Sequence, residues 1–545
     1  MAASKLTNEE KLKRLIYISN VNPKYYCGGP EVFLPLSKAK MDLLEEMLKT
    51  NYMEFLKVIE SVNEDPLIPY RSQIFNILAY SLKMESCNPQ SKNAICTTIL
   101  KLIKSDKEFF EFIKHASRFN NKKLSKTVRK AISAFYKKKS AMELAQLYAA
   151  AKSNHGWSHK DLIKVCHLKS NTPDYNVVIN YILTNKTNEK ESDEEKKLID
   201  VIKKSETLKK TADHKVAVPL IQELKATIDH VEPKLRKSAE VWNTALTNMS
   251  LVEILKSLPK LYKLGFLKKD SPTQAKITET LTNVEKIKQS KIHPIEVFIY
   301  MKNFEKVGKP LDPKLLQHLV QEKNLTEEEL TKLKTPNEAK CPTVLSNLQK
   351  CMNVSCSNVQ SLGKRYLITI DTTDKMDTPC LSRKNITGIE AAAAFAWFLL
   401  RVEKDVTVAV FKEKEVAVIS LDKKGHLYEH VQKLRENKSK YLLLSAPLEW
   451  ATSNKKHFDI FFNFIHHKEY YVTVPKDVRE KMTKPVDALL KYRKKVNLPN
   501  AKLVNFCLSS PHMEIADGSP NILDVSGLDL GVPKLIEAFR RGKFC

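Results

Sequence analysis

Apolar residues recur at helical spacing from about residue 38 to about residue 320, and strand-like alternation is nearly absent there. The stripes include Met41, Leu44, Met47 and Leu48, then Phe75, Leu78 and Leu82, then Ile99, Leu100 and Ile103, then Val128, Ile132, Phe135 and Tyr136. Helices with one apolar stripe bury it by stacking on their neighbours, which predicts a HEAT-like α-solenoid. Only 12 of the 545 residues are glycine, which argues against propellers and β-sandwiches with many tight turns.

After residue 363 the pattern changes to strands that alternate with helices. Strands are predicted at residues 365–370, 406–411, 415–421, 458–465 and 501–507, and helices at 388–402, 425–436, 477–495 and 532–541. This order predicts an α/β domain with a mainly parallel sheet. The polar stretch 322–361 predicts an interdomain connection, so we place a helical module at residues 1–362 and the α/β domain at residues 363–545.

The charge of the chain is strongly positive and unevenly distributed. There are 91 Lys and Arg against 63 Asp and Glu, a formal net charge of +28. Residues 121–170 alone hold 12 basic and 2 acidic residues. A polyanion is the natural partner of such a surface. The ordinary alternative is that lysine-rich helices serve only as a soluble surface.

The basic window is ordered rather than scattered. A capping pattern from Ser158 to Asp161 opens one helix, which places its basic side chains opposite an apolar stripe. Two basic stripes follow helical spacing: Lys122, Lys126 and Lys130, then Lys160, Lys164 and His167. Such stripes suit a phosphate backbone. The candidate contacts are Lys122, Lys123, Lys126, Arg129, Lys130, Lys137, Lys138, Lys139, Lys152, His155, His159, Lys160, Lys164, His167 and Lys169.

Two of these assignments have ordinary alternatives. Lys137, Lys138 and Lys139 lie near the carboxyl end of a predicted helix, where cations complement the helix dipole. For His167 the alternative is a hydrogen-bonded structural histidine. Both readings stay open from the sequence.

Several classes of protein are disfavoured by the sequence. It holds no phosphate-binding loop, no Gly-x-Gly-x-x-Gly after a strand and no Gly-x-Ser-x-Gly elbow, so we expect neither an enzyme nor a cofactor. The ten cysteines form no Cys-x-x-Cys pair, which disfavours a zinc site or a disulfide framework. The amino terminus lacks the apolar core of a signal peptide, and no run of about 18 apolar residues occurs, so a soluble protein of a reducing compartment is expected.

Five segments of the sequence resemble one known family. They are residues 130–136 (KAISAFY), 154–169 (NHGWSHKDLIKVCHLK), 239–242 (AEVW), 291–294 (KIHP) and 488–495 (ALLKYRKK). In this order, and over nearly the whole chain, they resemble the TROVE module and the A-like domain of the sixty-kilodalton Ro (SS-A) autoantigen family. The stretch GWSHKDL at residues 156–162 is quite specific.

The resemblance implies HEAT-like repeats closed into a ring, followed by a von Willebrand A-like, Rossmann-like domain. In this family the hole of the ring takes single-stranded 3′ ends of misfolded noncoding RNAs, and the basic outer surface binds small Y RNAs. His167 matches a histidine of that surface, whereas Ala150 and Asn154 stand where the family carries basic residues. Lys152 and His155 lie beside these positions and can compensate.

The resemblance also bears on a metal site in the A-like domain. The family motif is Asp-x-Ser-x-Ser with a distant Thr and Asp. Asp371 and Thr373 match it, Lys375 replaces the second serine, and Leu442 and His466 stand at the distant positions. An ammonium group repels a cation, so no divalent metal is expected to bind. The domain is then expected to close the ring and to offer a surface for protein partners.

The residues and the resemblance together predict a non-catalytic RNA-binding protein of noncoding RNA quality control. Its partners would be Y-like RNA and misfolded RNA 3′ ends, with no membrane involved, and a monomer is expected. We expect a cytoplasmic protein and leave a nuclear fraction open. The alternative is a protein scaffold that has lost Y RNA binding, in keeping with Ala150 and Asn154. A hydrolase or nuclease is the least favoured class, because no paired carboxylates stand near a metal or nucleophile.

Overall fold

The structure is a computed structural model that describes residues 6–28, 37–150, 155–169, 172–187, 192–307, 337–338, 340–511 and 513–544. It divides into two compact units. The helical unit consists of the described residues of 7–21 and 33–249. The mixed unit consists of those of 1–6, 22–32 and 250–545.

The helical unit is built from α-helices joined by short turns. They are α1 (Asn8–Ile18), α2 (Lys38–Asn63), α3 (Ser72–Ser81), α4 (Pro89–Leu102), α5 (Asp106–Arg118), α6 (Lys126–Lys137), α7 (Ala141–Ala150), α8 (His159–Val165), α9 (Pro173–Thr184), α10 (Asp193–Lys210), α11 (His214–Glu223) and α12 (Ala239–Ala245). Serine side chains cap several of them, as Ser125 does for α6. The helices pack in pairs such as α3 with α5 and α7 with α10, which confirms the predicted helical array.

The mixed unit begins with helices and continues as an α/β domain. Its helices are α13 (Leu251–Lys263), α14 (Pro272–Thr282), α15 (Val284–Ser290), α16 (Pro294–Glu305), α17 (Pro342–Ser355), α18 (Gly388–Val402), α19 (Leu427–Arg435), α20 (Ala446–Ser453), α21 (Lys476–Arg479), α22 (Pro485–Lys495) and α23 (Val532–Arg540). Its strands are β1 (Lys24–Tyr26), β2 (Lys306–Val307), β3 (Asn337–Glu338), β4 (Arg365–Ile370), β5 (Pro379–Cys380), β6 (Arg383–Thr387), β7 (Asp405–Lys412), β8 (Glu415–Ile419), β9 (Ile460–Ile465), β10 (Lys502–Cys507) and β11 (Ile522–Ser526).

Seven of these strands form one sheet in the order β1-β11-β10-β9-β4-β7-β8. All neighbours are parallel except β7 and β8. The inner strands are mostly apolar and buried, with Asn463 and Asn505 as polar exceptions, as is typical of a parallel sheet with helices on both faces. The buried core includes Phe461, Leu503 and Leu489. This sheet confirms the predicted α/β domain, so both parts of the predicted fold class, helical array and von Willebrand A-like domain, are confirmed.

Two local predictions were wrong, and two strands of the sheet were missed. The helix expected over 477–495 is divided into α21 and α22, and Pro485 begins the second helix because proline suits a first turn. The strands β1 and β11 were not predicted. Residues 342–355 form α17 rather than a connection; its apolar residues Val344, Leu348 and Cys351 are buried at helical spacing between polar ones. The rest of that stretch up to 336 lies outside the described residues.

The structure places α13 to α17 in the same compact unit as the sheet. The boundary at residue 362 stays a prediction. No helix of the described residues is both long and apolar enough to span a membrane.

Candidate nucleic-acid interface

The first basic stripe lies on α6 and on the turn before it. Val128, Ile132 and Tyr136 are buried, and the opposite side of the helix carries exposed lysines, Lys126 and Lys130 among them. In the preceding turn Asn121 and Lys122 adopt positive φ angles of 50° and 62°. That turn leaves Lys122 and Lys123 exposed.

The second stripe lies on α8. Ser158 caps the helix: the amide of Asp161 donates to Ser158 Oγ at 3.1 Å, and the amide of Ser158 donates to the Asp161 carboxylate at 2.9 Å. Leu162 and Ile163 are buried, while Lys164 is exposed. The helix ends at Val165, and His167 in the turn that follows has a φ of 48° and is exposed. α6 and α8 pack against each other. We call the exposed basic side chains of these two helices and of their adjoining turns the basic face.

Both carboxylates of residues 121–170 are engaged in helix capping. Asp161 is held by Ser158, and Glu143 accepts a hydrogen bond of 2.7 Å from the amide of Ser140. This hydrogen bond from the backbone, together with one from the Ser140 hydroxyl, lowers the pKa of Glu143. Within the described part of the basic face, no candidate lysine forms an ion pair with a carboxylate. Its positive charge is therefore left for a partner.

The candidate residues differ in exposure. Lys122, Lys123, Lys126, Lys130, Lys137, Lys138, His155, Lys164, His167 and Lys169 are exposed, and Arg129, Lys139 and Lys160 are half-buried. Lys139 lies over the ring of Phe135, 4.8 Å from its centre. Lys152 and Asn154 lie outside the described residues. The structure therefore places most of the candidates at the exposed surface of α6, α8 and the neighbouring turns, and their role in RNA binding stays a prediction.

His159 is a correction to the candidate set. Its side chain is 2% exposed and packs against Phe110, with ring centres 4.8 Å apart. The Tyr136 hydroxyl and His159 Nδ1 are 2.7 Å apart. Burial lowers the pKa of His159 to about 4, and the charges of Lys139 and Lys209 add to this effect. The residue holds α6 to α8 and does not contact solvent, so it is not a direct RNA contact.

His155 lies at the end of the basic face, beside a carboxylate. It has a φ of 54°, and its Nε2 is 3.8 Å from Glu111 Oε1. Burial lowers the pKa of His155, as do the ammonium groups of Lys114 and Lys107. Lys107 and Lys114 lie on α5 and were not among the candidate contacts, although their spacing of seven residues places them on one face of the helix. They extend the basic face.

A second site of interest is the carboxyl edge of the sheet, where β4 and β9 end. Asp371 is buried; its Oδ1 accepts from the Thr373 amide at 2.8 Å, and its Oδ2 is 2.8 Å from His466 Nδ1. Burial lowers the pKa of the neighbouring His467, and the charges of Lys468 and Lys375 lower it further. Leu442 is buried nearby in the core beside Ile465.

The residues at this edge do not fit the metal site of A-like domains. Hard cations need several oxygen ligands, but here a single carboxylate is already bound by an imidazole and an amide. Across the part of the chain that the structure describes, no three His, Cys, Asp or Glu residues are placed to hold a metal.

We therefore expect millimolar Mg²⁺ or Mn²⁺ to leave the melting temperature of the protein unchanged. Differential scanning fluorimetry with added metal and with a chelator checks this. The variant Lys375→Ser, which restores the motif's hydroxyl, is the matched comparison. A rise in melting temperature with metal in the unaltered chain would contradict the assignment.

Two family models match successive parts of the chain. The family model described as TROVE domain matches residues 223–376, and the one described as Ro60 vWA domain matches residues 365–540. The chain is 20% identical to RNA-binding protein RO60 of Caenorhabditis elegans, covering 99% of this chain and 88% of that protein. It is 21% identical to the protein of the same name from Deinococcus radiodurans, covering 99% and 93%.

The chain is a divergent member of the Ro60 family. The crystal structure of the Deinococcus radiodurans Ro (RSR) protein has the same fold, with a TM-score of 0.80 at 20% identity over 98% of this chain and 100% of that one. The TROVE match begins after α8. The basic face lies outside that match, so its proposed role rests on the exposed lysines of α6 and α8 and not on the TROVE model.

Proposed function

We propose that the chain is a non-catalytic RNA-binding protein and that the basic face binds the phosphates of a folded RNA. The observation that carries this proposal is the set of lysines on α6 and α8 that form no ion pair with a carboxylate of the described residues. Such a surface gains affinity when bound phosphates release their counterions. The relatives named RNA-binding protein RO60 support the same class of ligand.

The likeness to the Ro60 family supports a more specific proposal, in which the chain binds two kinds of RNA. The basic face takes a small Y-like noncoding RNA, and the single-stranded 3′ end of a misfolded RNA enters a ring cavity. The protein would act in noncoding RNA quality control, as a monomer in the cytoplasm, with a nuclear fraction left open. The A-like domain would offer further surface to protein partners.

Recognition on the basic face should depend on shape more than on sequence. A-form RNA has a deep, narrow major groove that side chains cannot read, so contacts go to phosphates and 2′-hydroxyls. Lys164 supplies charge, and the exposed imidazole of His167 supplies a hydrogen bond. Because both are outside the core, they can be replaced without loss of the fold.

The variant Lys160→Ala/Lys164→Ala/His167→Ala should bind a structured RNA about tenfold more weakly near 0.1 M salt, and the slope of log K against log salt should fall by about 2 because two cations are lost. Filter binding at several salt concentrations measures both. The RNA is used with and without a single-stranded 3′ tail. A tighter complex with the tail would support capture of RNA ends.

The matched control is Lys263→Ala/Lys268→Ala/Lys269→Ala, which removes three exposed lysines of the mixed unit. It should change affinity and salt slope much less. Equal losses in both triple variants would mean that net charge alone drives binding, and the basic face would lose its assignment. Equally weak binding of both RNAs at near-physiological salt would remove the capture of RNA ends.

The second candidate is a protein scaffold without Y RNA binding. It is favoured by Ala150, which stands where the family carries a basic residue and whose carbonyl oxygen is 2.9 Å from His230 Nε2. The absence of salt-sensitive retention on RNA would support this candidate.

A further inference from the structure

At the carboxyl edge of the sheet, the aspartates of the loop after β4 are paired with side chains of the mixed unit. The loop after β4 holds three aspartates, and each one faces a cationic or imidazole side chain. The pairs are Asp371 with His466 at 2.8 Å, Asp377 with Arg435 at 2.6 Å, and Asp374 with Lys438. Each aspartate of this loop thus already has a partner within the mixed unit.

Two cations at the same edge are not neutralised. Lys375 and Lys468 are exposed, and neither forms an ion pair within the described residues. Glu469 is an exposed acid of this edge. Its amide donates to His467 Nδ1 at 3.2 Å, so a neutral His467 ring carries its proton on Nε2 and can donate it to an anion.

Two further features point to a ligand with both an anionic and a flat part. The hydroxyl of Thr373 is buried and has no hydrogen-bond partner among the described residues, a cost that an incoming acceptor can offset. Tyr471 follows Lys468 by three residues and is 41% exposed. An exposed aromatic ring beside lysines is the arrangement that binds single-stranded nucleic acid.

We propose that this edge is a metal-independent site for a nucleotide of single-stranded RNA. Lys375, Lys468 and His467 hold the phosphate, and a base stacks on Tyr471. Side-chain cations would thus supply the positive charge that a bound metal supplies in other A-like domains. The inference rests on the proposed function, because it adds a second RNA contact on the mixed unit.

The observations favour RNA over an acidic peptide. A peptide carboxylate would use the same lysines but would gain little from the flat face of Tyr471. Stacking is tolerant of base identity because every base has a π-face, so this site should bind without sequence preference.

The test is photocrosslinking of the full chain to a short oligouridine that contains 4-thiouridine, in the presence of a chelator. We expect a crosslink in the peptide that contains Tyr471, located by mass spectrometry. Lys375→Ala/Lys468→Ala should lower its yield about fivefold or more, and Tyr471→Phe should keep it because the ring remains. Lys491→Ala/Lys494→Ala, which removes two exposed lysines of α22, should leave the yield unchanged.

Three results would overturn the inference. One is RNA that crosslinks elsewhere in the chain but not at this edge, which would leave the proposed function intact. Another is a crosslink that needs Mg²⁺, since the site would then work through a metal. The third is competition at the edge by a glutamate-rich peptide but not by unlabelled oligouridine, which would assign the site to a protein partner. If the chain crosslinks to no RNA at all, the proposed function itself fails.

Discussion

Replacing Arg540 by methionine should destabilise the mixed unit by about 3 to 5 kcal/mol, because it leaves buried carboxylates without a counter-charge. The Arg540 side chain is 0% exposed and pairs with Glu403 and Glu537. Its Nη2 also donates to the Tyr366 hydroxyl at 2.7 Å. Burial raises the pKa of Glu537 although Arg540 opposes this shift, so loss of the guanidinium should raise that pKa further.

The same network holds the segment that precedes β4. Glu403 accepts hydrogen bonds from the amides of Leu362 and Gly363 at 2.9 and 3.1 Å and from the Ser361 hydroxyl at 2.7 Å. The measurement is hydrogen exchange of the β4 and β9 amides, which reports opening of the mixed unit alone. Protection there should fall in Arg540→Met, while α3 and α5 keep theirs.

A double-mutant cycle separates the ion pair from simple loss of packing. Glu403→Gln and Arg540→Met should each be costly, and the double variant should cost less than their sum by about 1 to 3 kcal/mol. Additive losses would show that Arg540 stabilises the unit through packing and not through Glu403.

The helices and inner strands could be predicted because their signals are local. Ser158 and Asp161 form the capping box that the sequence indicates, and residues 365–370 form the strand expected from an apolar run. β1 could not be predicted in this way. It has three residues, and its pairing of Tyr25 with Val525 joins positions far apart in the chain. Only the packed sheet makes that short segment a strand.

The candidate site was predicted in part for a similar reason. Helical spacing placed the lysines of α6 and α8 on exposed faces, but it did not show that His159 is buried. A signal was present: His159 precedes Leu162 by three and Ile163 by four positions, which is the spacing of the apolar stripe. The neutralised aspartates after β4 could not be found from spacing, because Arg435 and Lys438 come from a distant part of the chain.

The second large effect is expected on acidification. Burial lowers the pKa of His115 and His293 to about 3 and that of His159 to about 4. Each histidine has a pKa near 6.5 when unfolded, so the unfolded chain takes up protons first as the pH falls. Above about pH 6.5 these histidines cost no stability, because they are neutral in both states. The free energy of unfolding then decreases as the pH falls from about 6.5 toward the pKa of each histidine in the folded chain. The loss is about 3 to 5 kcal/mol per histidine.

These histidines are buried neutral for identifiable structural reasons. His293 Nδ1 accepts the Ile295 amide at 3.1 Å and so caps α16, and the nitrogens of His115 have no hydrogen-bond partner in the described residues. Urea midpoints between about pH 7 and pH 4.5 should fall steeply for the unaltered chain. His159→Gln should reduce the slope of stability against pH, whatever its effect at neutral pH.

Lys164→Ala is the matched control for this slope, since a lysine does not titrate in that range and the side chain is exposed. A chain whose urea midpoint changes little down to about pH 4.5 would contradict buried neutral histidines. If the slope falls in His293→Gln but not in His159→Gln, acid lability arises in the mixed unit. The contact between α6 and α8 would then tolerate a charged imidazole, and the basic face would keep its shape at low pH.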